Sequence, residues 1–145
     1  MPNDELDLAV PIYDTSLARV DESGRVVACS TAYGEIREYD IRAGKRPTAC
    51  NSIVQTQRML SNLLVSQINP HHLYVITQEG HPVIVDRRNA CKVVRKMPGS
   101  KGSTRTASLF SENGVELLLT GGCDRFVRVY DPLKEVKQDC CVASP

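Results

Sequence analysis

The sequence predicts an all-β chain built from three copies of one four-stranded antiparallel unit, and three observations lead there. A short aliphatic or β-branched run closed by an aspartate occurs three times, over Gly34 to Asp40, Gly80 to Asp86 and Asp124 to Asp131. The closing residues Asp40, Asp86 and Asp131 are 46 and 45 residues apart, and a fixed period of this size is the signature of a stacked repeat. Helical spacing of apolar residues is nearly absent, the ambiguous stretch being Ile53 to Val65, so strands are expected.

Each unit reads as four apolar runs separated by turn residues. The first places strands near Leu8 to Tyr13, Ser16 to Val20, Arg25 to Ser30 and Glu35 to Ile41, with turns at Asp21-Glu22-Ser23-Gly24 and Ala32-Tyr33-Gly34. The second runs near Thr48 to Val54, Leu60 to Gln67, Leu73 to Thr77 and Pro82 to Asp86, turning at Asn69-Pro70-His71-His72. The third has Cys91 to Lys96, Thr106 to Phe110, Glu116 to Thr120 and Phe126 to Tyr130, turning at Glu112-Asn113-Gly114 and at Gly121 to Asp124. The strands Arg25 to Ser30 and Val115 to Thr120 are expected to carry core side chains. The units therefore span about 6–41, 47–87 and 91–131 of a domain over 1–133, leaving 134–145 as a tail.

Size and composition agree with one folded domain. The chain has 145 residues, 41% hydrophobic and 24% charged, which is globular rather than disordered usage. The start, MPNDELDLAV, is acidic and lacks the basic and apolar regions of a secretory signal. No run approaches the roughly 18 apolar residues of a membrane helix, so a soluble intracellular protein is expected. There the cysteines Cys29, Cys50, Cys91, Cys123, Cys140 and Cys141 stay reduced, and none forms a Cys-x-x-Cys pair. Most read as small strand hydrophobes, with Cys140 and Cys141 in the tail open to oxidation.

A period of about 45 matches one blade of a β-propeller, and the units resemble WD repeats. That family closes a blade strand with Trp-Asp; the equivalents here are Tyr39-Asp40, Val85-Asp86 and Tyr130-Asp131. By resemblance, Asp124 is the turn aspartate that hydrogen-bonds a histidine and a hydroxyl residue. The Gly-His that opens a WD repeat is missing from all three copies. Over about Leu6 to Leu133 the chain looks like the C-terminal half of the propeller in nucleolar WD-repeat factors that accompany precursors of the large ribosomal subunit. Val10-Pro11-Ile12-Tyr13 and Gly122-Cys123-Asp124-Arg125-Phe126-Val127-Arg128 are the most specific stretches.

The resemblance implies a non-enzymatic assembly factor of the nucleus and nucleolus. It would be held on the pre-60S particle with other assembly factors and released by an AAA-type ATPase, with pre-rRNA as a further candidate contact. A ring of about seven blades needs another ~150 or more residues. The expectation is thus a partial propeller in an open arc with exposed apolar faces and strand edges. Either the chain is a truncated or split version, or a second chain supplies the missing blades.

Chemistry-bearing motifs are few. Between Arg87 and Arg105 lie seven basic residues and no acidic one: Arg87, Arg88, Lys92, Arg95, Lys96, Lys101 and Arg105. Such a strip is a candidate RNA-phosphate contact. The plainer account is a solvated strand and loop balancing the acidic N-terminus, and no aromatics interleave it for base stacking. Pro98 to Thr104 lacks the order of a phosphate-binding loop and reads as an inter-strand connection. His71, His72 and His81 sit in turn signals without a third convergent ligand, so no metal site is expected. Nothing places a histidine beside a nucleophile, so neither catalysis nor a cofactor is expected. Asp40, Asp86, Asp124 and Asp131 read first as turn-satisfying groups, with partner binding the alternative for Asp124, Arg125 and Asp131. Tyr39-Asp40-Ile41-Arg42 also resembles the W-D-x-R motif that docks some WD-repeat substrate receptors to cullin-RING ubiquitin ligases, which supplies an alternative function through Asp40 and Arg42.

Overall fold

The structure is a computed structural model, and it describes residues 13–21, 23–53, 59–100 and 102–133 together with the backbone of 139–142. The expected strand at Leu8 to Tyr13, apart from Tyr13, lies outside the described residues, as do Glu22 and Lys101. Twelve strands and one 3-10 turn at Arg87–Asn89 make up the regular structure among the described residues. The strands are β1 (Asp14–Arg19), β2 (Val26–Thr31), β3 (Glu35–Asp40), β4 (Ala49–Ser52), β5 (Leu60–Val65), β6 (His72–Thr77), β7 (Pro82–Asp86), β8 (Lys92–Lys96), β9 (Thr104–Glu112), β10 (Val115–Gly122), β11 (Phe126–Tyr130) and β12 (Asp139–Val142). The stretch that was ambiguous between helix and strand delivers β5.

These strands form three separate four-stranded antiparallel sheets, ordered β1-β2-β3-β4, β5-β6-β7-β8 and β9-β10-β11-β12. No sheet is closed, and the chain is an all-β arc of three propeller blades. β1 and β2 lie against β5, and β5 and β6 lie against β9. Successive sheets thus meet mainly through their first strands and separate toward their last, which is the radial placement of blades.

The sheets are phased one strand later than the sequence units. The run near Thr48 to Val54 pairs with β3 and completes the first sheet, and the run Cys91 to Lys96 pairs with β7 and completes the second. Likewise Asp139–Val142, within the expected tail, pairs with β11 as the outer strand of the third sheet. The sheets therefore cover 14–52, 60–96 and 104–142 rather than 6–41, 47–87 and 91–131. A period is the same in any phase; only pairing decides which strand joins which neighbours.

The apolar patterning explains the stacking. Alternate residues of a strand point to opposite faces, and the middle sheet uses both. Leu63, Leu73, Val75, Val83 and Val85 pack with Val20, Ala28 and Ile36 of the first sheet. On the other face Tyr74, Ile76, Ile84 and Met97 pack with Leu118 and Tyr130 of the third. This is why Leu73 to Ile76 and Val83 to Val85 are continuous apolar runs. The expected core strands Arg25 to Ser30 and Val115 to Thr120 do contribute Ala28 and Leu118, but the densest burial belongs to β6 and β7. The face of the third sheet turned away from the middle one leaves Phe110 51% and Val127 37% exposed.

Candidate functional site

Each of the four aspartates singled out by the repeat accepts the backbone amide two residues on. Asp40 Oδ1 accepts the Arg42 amide at 2.9 Å while the Arg42 guanidinium grips both carboxylate oxygens. Asp86 repeats this arrangement with Arg88, and Asp131 Oδ1 accepts the Leu133 amide at 2.9 Å. The guanidinium and the amide of Arg88 hold Asp86 well below the usual carboxylate range, at about 2. Asp40 is lowered for the same reason by Arg42. The Asp-x-Arg constellation thus recurs in two sheets as the staple of a strand-ending turn, with Arg42 and Arg88 largely exposed.

Asp124 departs from the expected histidine and hydroxyl partners. Its carboxylate pairs with Arg128, lowering its pKa, and accepts the Phe126 amide. In the first two sheets a threonine hydroxyl serves the equivalent turn, Thr31 Oγ1 accepting the Tyr33 and Glu35 amides and Thr77 Oγ1 the His81 amide. Gly34 and Gly80 take positive φ in those turns, and Arg125 takes φ 66 at the corresponding place in the third. The sequence misleads here because any short side chain with an acceptor oxygen can hold such a turn.

Polar staples also join the sheets. Arg87 reaches from the middle sheet to Glu38 of the first with bonds of 2.9 and 3.1 Å. Between the middle and third sheets the buried Glu116 carboxylate accepts from Ser66 Oγ, the Gln67 amide and Tyr74 Oη, at 2.7, 2.7 and 2.8 Å. Burial, with Glu116 second, pushes the Tyr74 phenol up. Sequence reasoning did not single out this network. Its one signal was an acidic residue opening the otherwise apolar β10, Val115-Glu116-Leu117-Leu118-Leu119.

The basic strip is not a single free surface. Arg87 and Arg88 are engaged by Glu38 and Asp86, Arg95 donates to the Pro132 carbonyl, and Arg105 Nε lies 3.4 Å from Cys123 Sγ. Lys92 and Lys96 are exposed on β8, and Lys101 lies outside the described residues. The Pro98 to Thr104 loop is an inter-strand connection, tied by Ser100 N to Gly80 O and Thr104 N to Gln78 O. Asn69 organises the His71-His72 turn, accepting the His71 amide and meeting His72 Nε2 at 3.3 Å. Among the described residues no group of three or more potential ligands is placed to hold a metal ion.

A cleft of about 500 Å³ opens between the middle and third sheets, where they separate toward their outer strands. Its walls include Ile68, Ile84, Val94 and Leu133, with Glu116 inside and Arg95 at one side. The cleft is mostly apolar, and its size is that of a ligand or side-chain pocket. With Glu116 already held by three donors, it suits apolar occupancy more than acid-base chemistry.

No family model matches the chain. It is 25% identical over 151 residues to the ribosome biogenesis protein NSA1 of Meyerozyma guilliermondii, an alignment covering 89% of this chain and 37% of that protein. It is 27% identical over 149 residues to NSA1 of Yarrowia lipolytica, covering 89% of this chain and 35% of that protein. The chain spans just over a third of the length of these relatives.

Proposed function

We propose that this chain is a non-catalytic docking platform in ribosome biogenesis, acting on precursors of the large subunit in the nucleolus. The observation that carries the reading is the likeness to two ribosome biogenesis proteins along 89% of the chain, joined to an all-β arc of blades. The fold supports it physically. The buried polar groups Glu38, Glu116 and Arg128 are occupied in joints and turns, while loops, strand edges and the outer face of the third sheet remain for partners. We read the arc as part of a propeller whose further blades pack on that outer face. Other assembly factors are the proposed partners, with release by an AAA-type ATPase and with pre-rRNA contacted through Lys92 and Lys96. Sedimentation of nuclear extract containing the tagged chain tests this reading. The tagged chain is expected in the large-subunit precursor peak, and its confinement to free fractions refutes the reading.

A further inference from the structure

Exposed cations from three separate segments meet at one end of the first and middle sheets. This is the end where β3 and β7 close on Asp40 and Asp86 and where β1 turns into β2. The Ile41 amide donates to the Arg25 carbonyl at 3.0 Å, which ties the β1–β2 turn to the turn after β3. Arg87, next to Arg88, pairs with Glu38, just before Asp40, which holds the turn after β7 beside the turn after β3. Arg25, Arg42, Lys45, Arg46, Arg88 and Lys92, all exposed, therefore share one surface.

The described acids of this end are each engaged within the fold. Asp40 and Asp86 are 22% and 19% exposed, against 64% and 60% for the Arg42 and Arg88 side chains that grip them. Glu38 is held by Arg87, and Asp21 accepts from Ser23 Oγ and the Val26 amide. Glu22 lies outside the described residues. Arg25, Lys45, Arg46 and Lys92 form no ion pair among the described residues. Arg42 and Arg88 spend Nε and Nη2 on their aspartates, which leaves Nη1 of each as a donor in a fixed place. The chain's net charge is only +1, so this surface owes its sign to which partner of each pair is turned outward.

We infer that this surface binds the phosphate backbone of RNA without reading its bases. Unpaired cations flanked by two fixed guanidinium donors suit a polymer with a charge on every unit. The exposed aromatics Tyr13, Tyr33, Phe110 and Phe126 belong to other parts of the fold, so bases find no stacking platform here. Ile41 is the one large exposed hydrophobic among these cations, too little for the apolar centre of a protein interface. The surface keeps Arg88 and Lys92 of the basic strip and adds Arg25, Arg42, Lys45 and Arg46 from the first sheet. The inference deepens the docking-platform reading and rests on it for the source of the RNA, the precursor rRNA.

The test is fluorescence anisotropy of the full chain with a fluorescein-labelled RNA hairpin. Lys45→Ala with Arg46→Ala is expected to weaken binding about tenfold, with an unchanged circular dichroism spectrum, and to lower the slope of log affinity against log salt by about 2. Arg105→Ala with Arg125→Ala removes the same charge from the opposite end of the sheets and should change affinity by less than about twofold. Equal losses in the two double variants overturn the inference, as does undiminished binding by Lys45→Ala with Arg46→Ala. Tighter binding of a glutamate-rich peptide than of the hairpin overturns it in favour of an acidic protein partner. Sedimentation with the large-subunit precursor is a separate readout. If wild type enters that peak but the hairpin fails, the RNA surface falls alone; if wild type stays in free fractions, the docking-platform reading falls whatever the hairpin shows.

Discussion

The Tyr74 hydroxyl donates a 2.8 Å hydrogen bond to the Glu116 carboxylate across the joint between the middle and third sheets. Glu116 is 3% exposed and Tyr74 likewise 3%, so water is a poor substitute for either partner. Glu116→Ala strands the Ser66 hydroxyl, the Gln67 amide and the Tyr74 hydroxyl together and should destabilise the fold by about 3 kcal/mol. Tyr74→Phe removes one donor and leaves two, so its cost should be about 1 kcal/mol. Urea unfolding midpoints of the two variants check the ranking; equal losses would show that the network is not centred on Glu116.

The first and middle sheets are joined by the ion pair of Arg87 with Glu38, whose side chains are 23% and 12% exposed. Removing one partner leaves the other desolvated and unpaired, so Arg87→Ala should cost about 2 kcal/mol. In a double-mutant cycle, Glu38→Gln combined with Arg87→Ala should be less destabilising than the sum of the single changes, by about 1 kcal/mol. Additive losses would mean the pair contributes nothing beyond its separate residues.

Two glycines with similar backbone should respond differently to alanine. Gly80 has φ +88, and an added Cβ would meet Ser100 Oγ at 2.0 Å and the Gly102 carbonyl at 2.9 Å. Gly114 has φ +77 with nothing within 4 Å. Gly114→Ala should therefore cost about 1 kcal/mol from backbone strain alone. Gly80→Ala adds a collision with the 100–102 loop and should cost about twice as much or more. Thermal denaturation of both variants distinguishes strain from crowding.

Stability should fall at both ends of the pH scale for separate reasons. Asp86 is depressed to about 2 by Arg88. Its contribution is therefore present above the ordinary aspartate value of 3.8 and is lost as pH falls toward 2. Arg88→Gln should shrink this acid loss, and a carboxyl titration followed by NMR should find Asp86 returned toward 3.8. At the other end, burial pushes the Cys91 thiol from 9.0 to about 11. The unfolded chain ionises first, so stability declines between those values, and Cys91→Ala should flatten that limb. Mass-resolved alkylation at neutral pH should label exposed Cys50 and Cys123 ahead of buried Cys29 and Cys91.

The fold was legible because strand patterning and repeat period are local properties. Alternation of side chains and a closing aspartate every 45 or 46 residues mark where strands begin and end in any surroundings. Every strand from β2 to β11 was placed within two residues at each end. β9 was underestimated because Thr104, Arg105, Ser111 and Glu112 extend it with polar residues. The functional reading was less legible. The strip from Arg87 to Arg105 looked like one basic surface, yet Arg87 and Arg88 spend their charges on Glu38 and Asp86.

By itself the sequence determined the all-β class, since strand patterning depends on residues close together in the chain. Tertiary structure decided the phase of the sheets, the Glu116 joint and the cleft of Ile68, Val94 and Leu133. Those depend on which distant strands lie side by side. Glu116 meets Ser66 and Tyr74 from 50 and 42 residues away, a distance over which no local pattern in the chain specifies a contact.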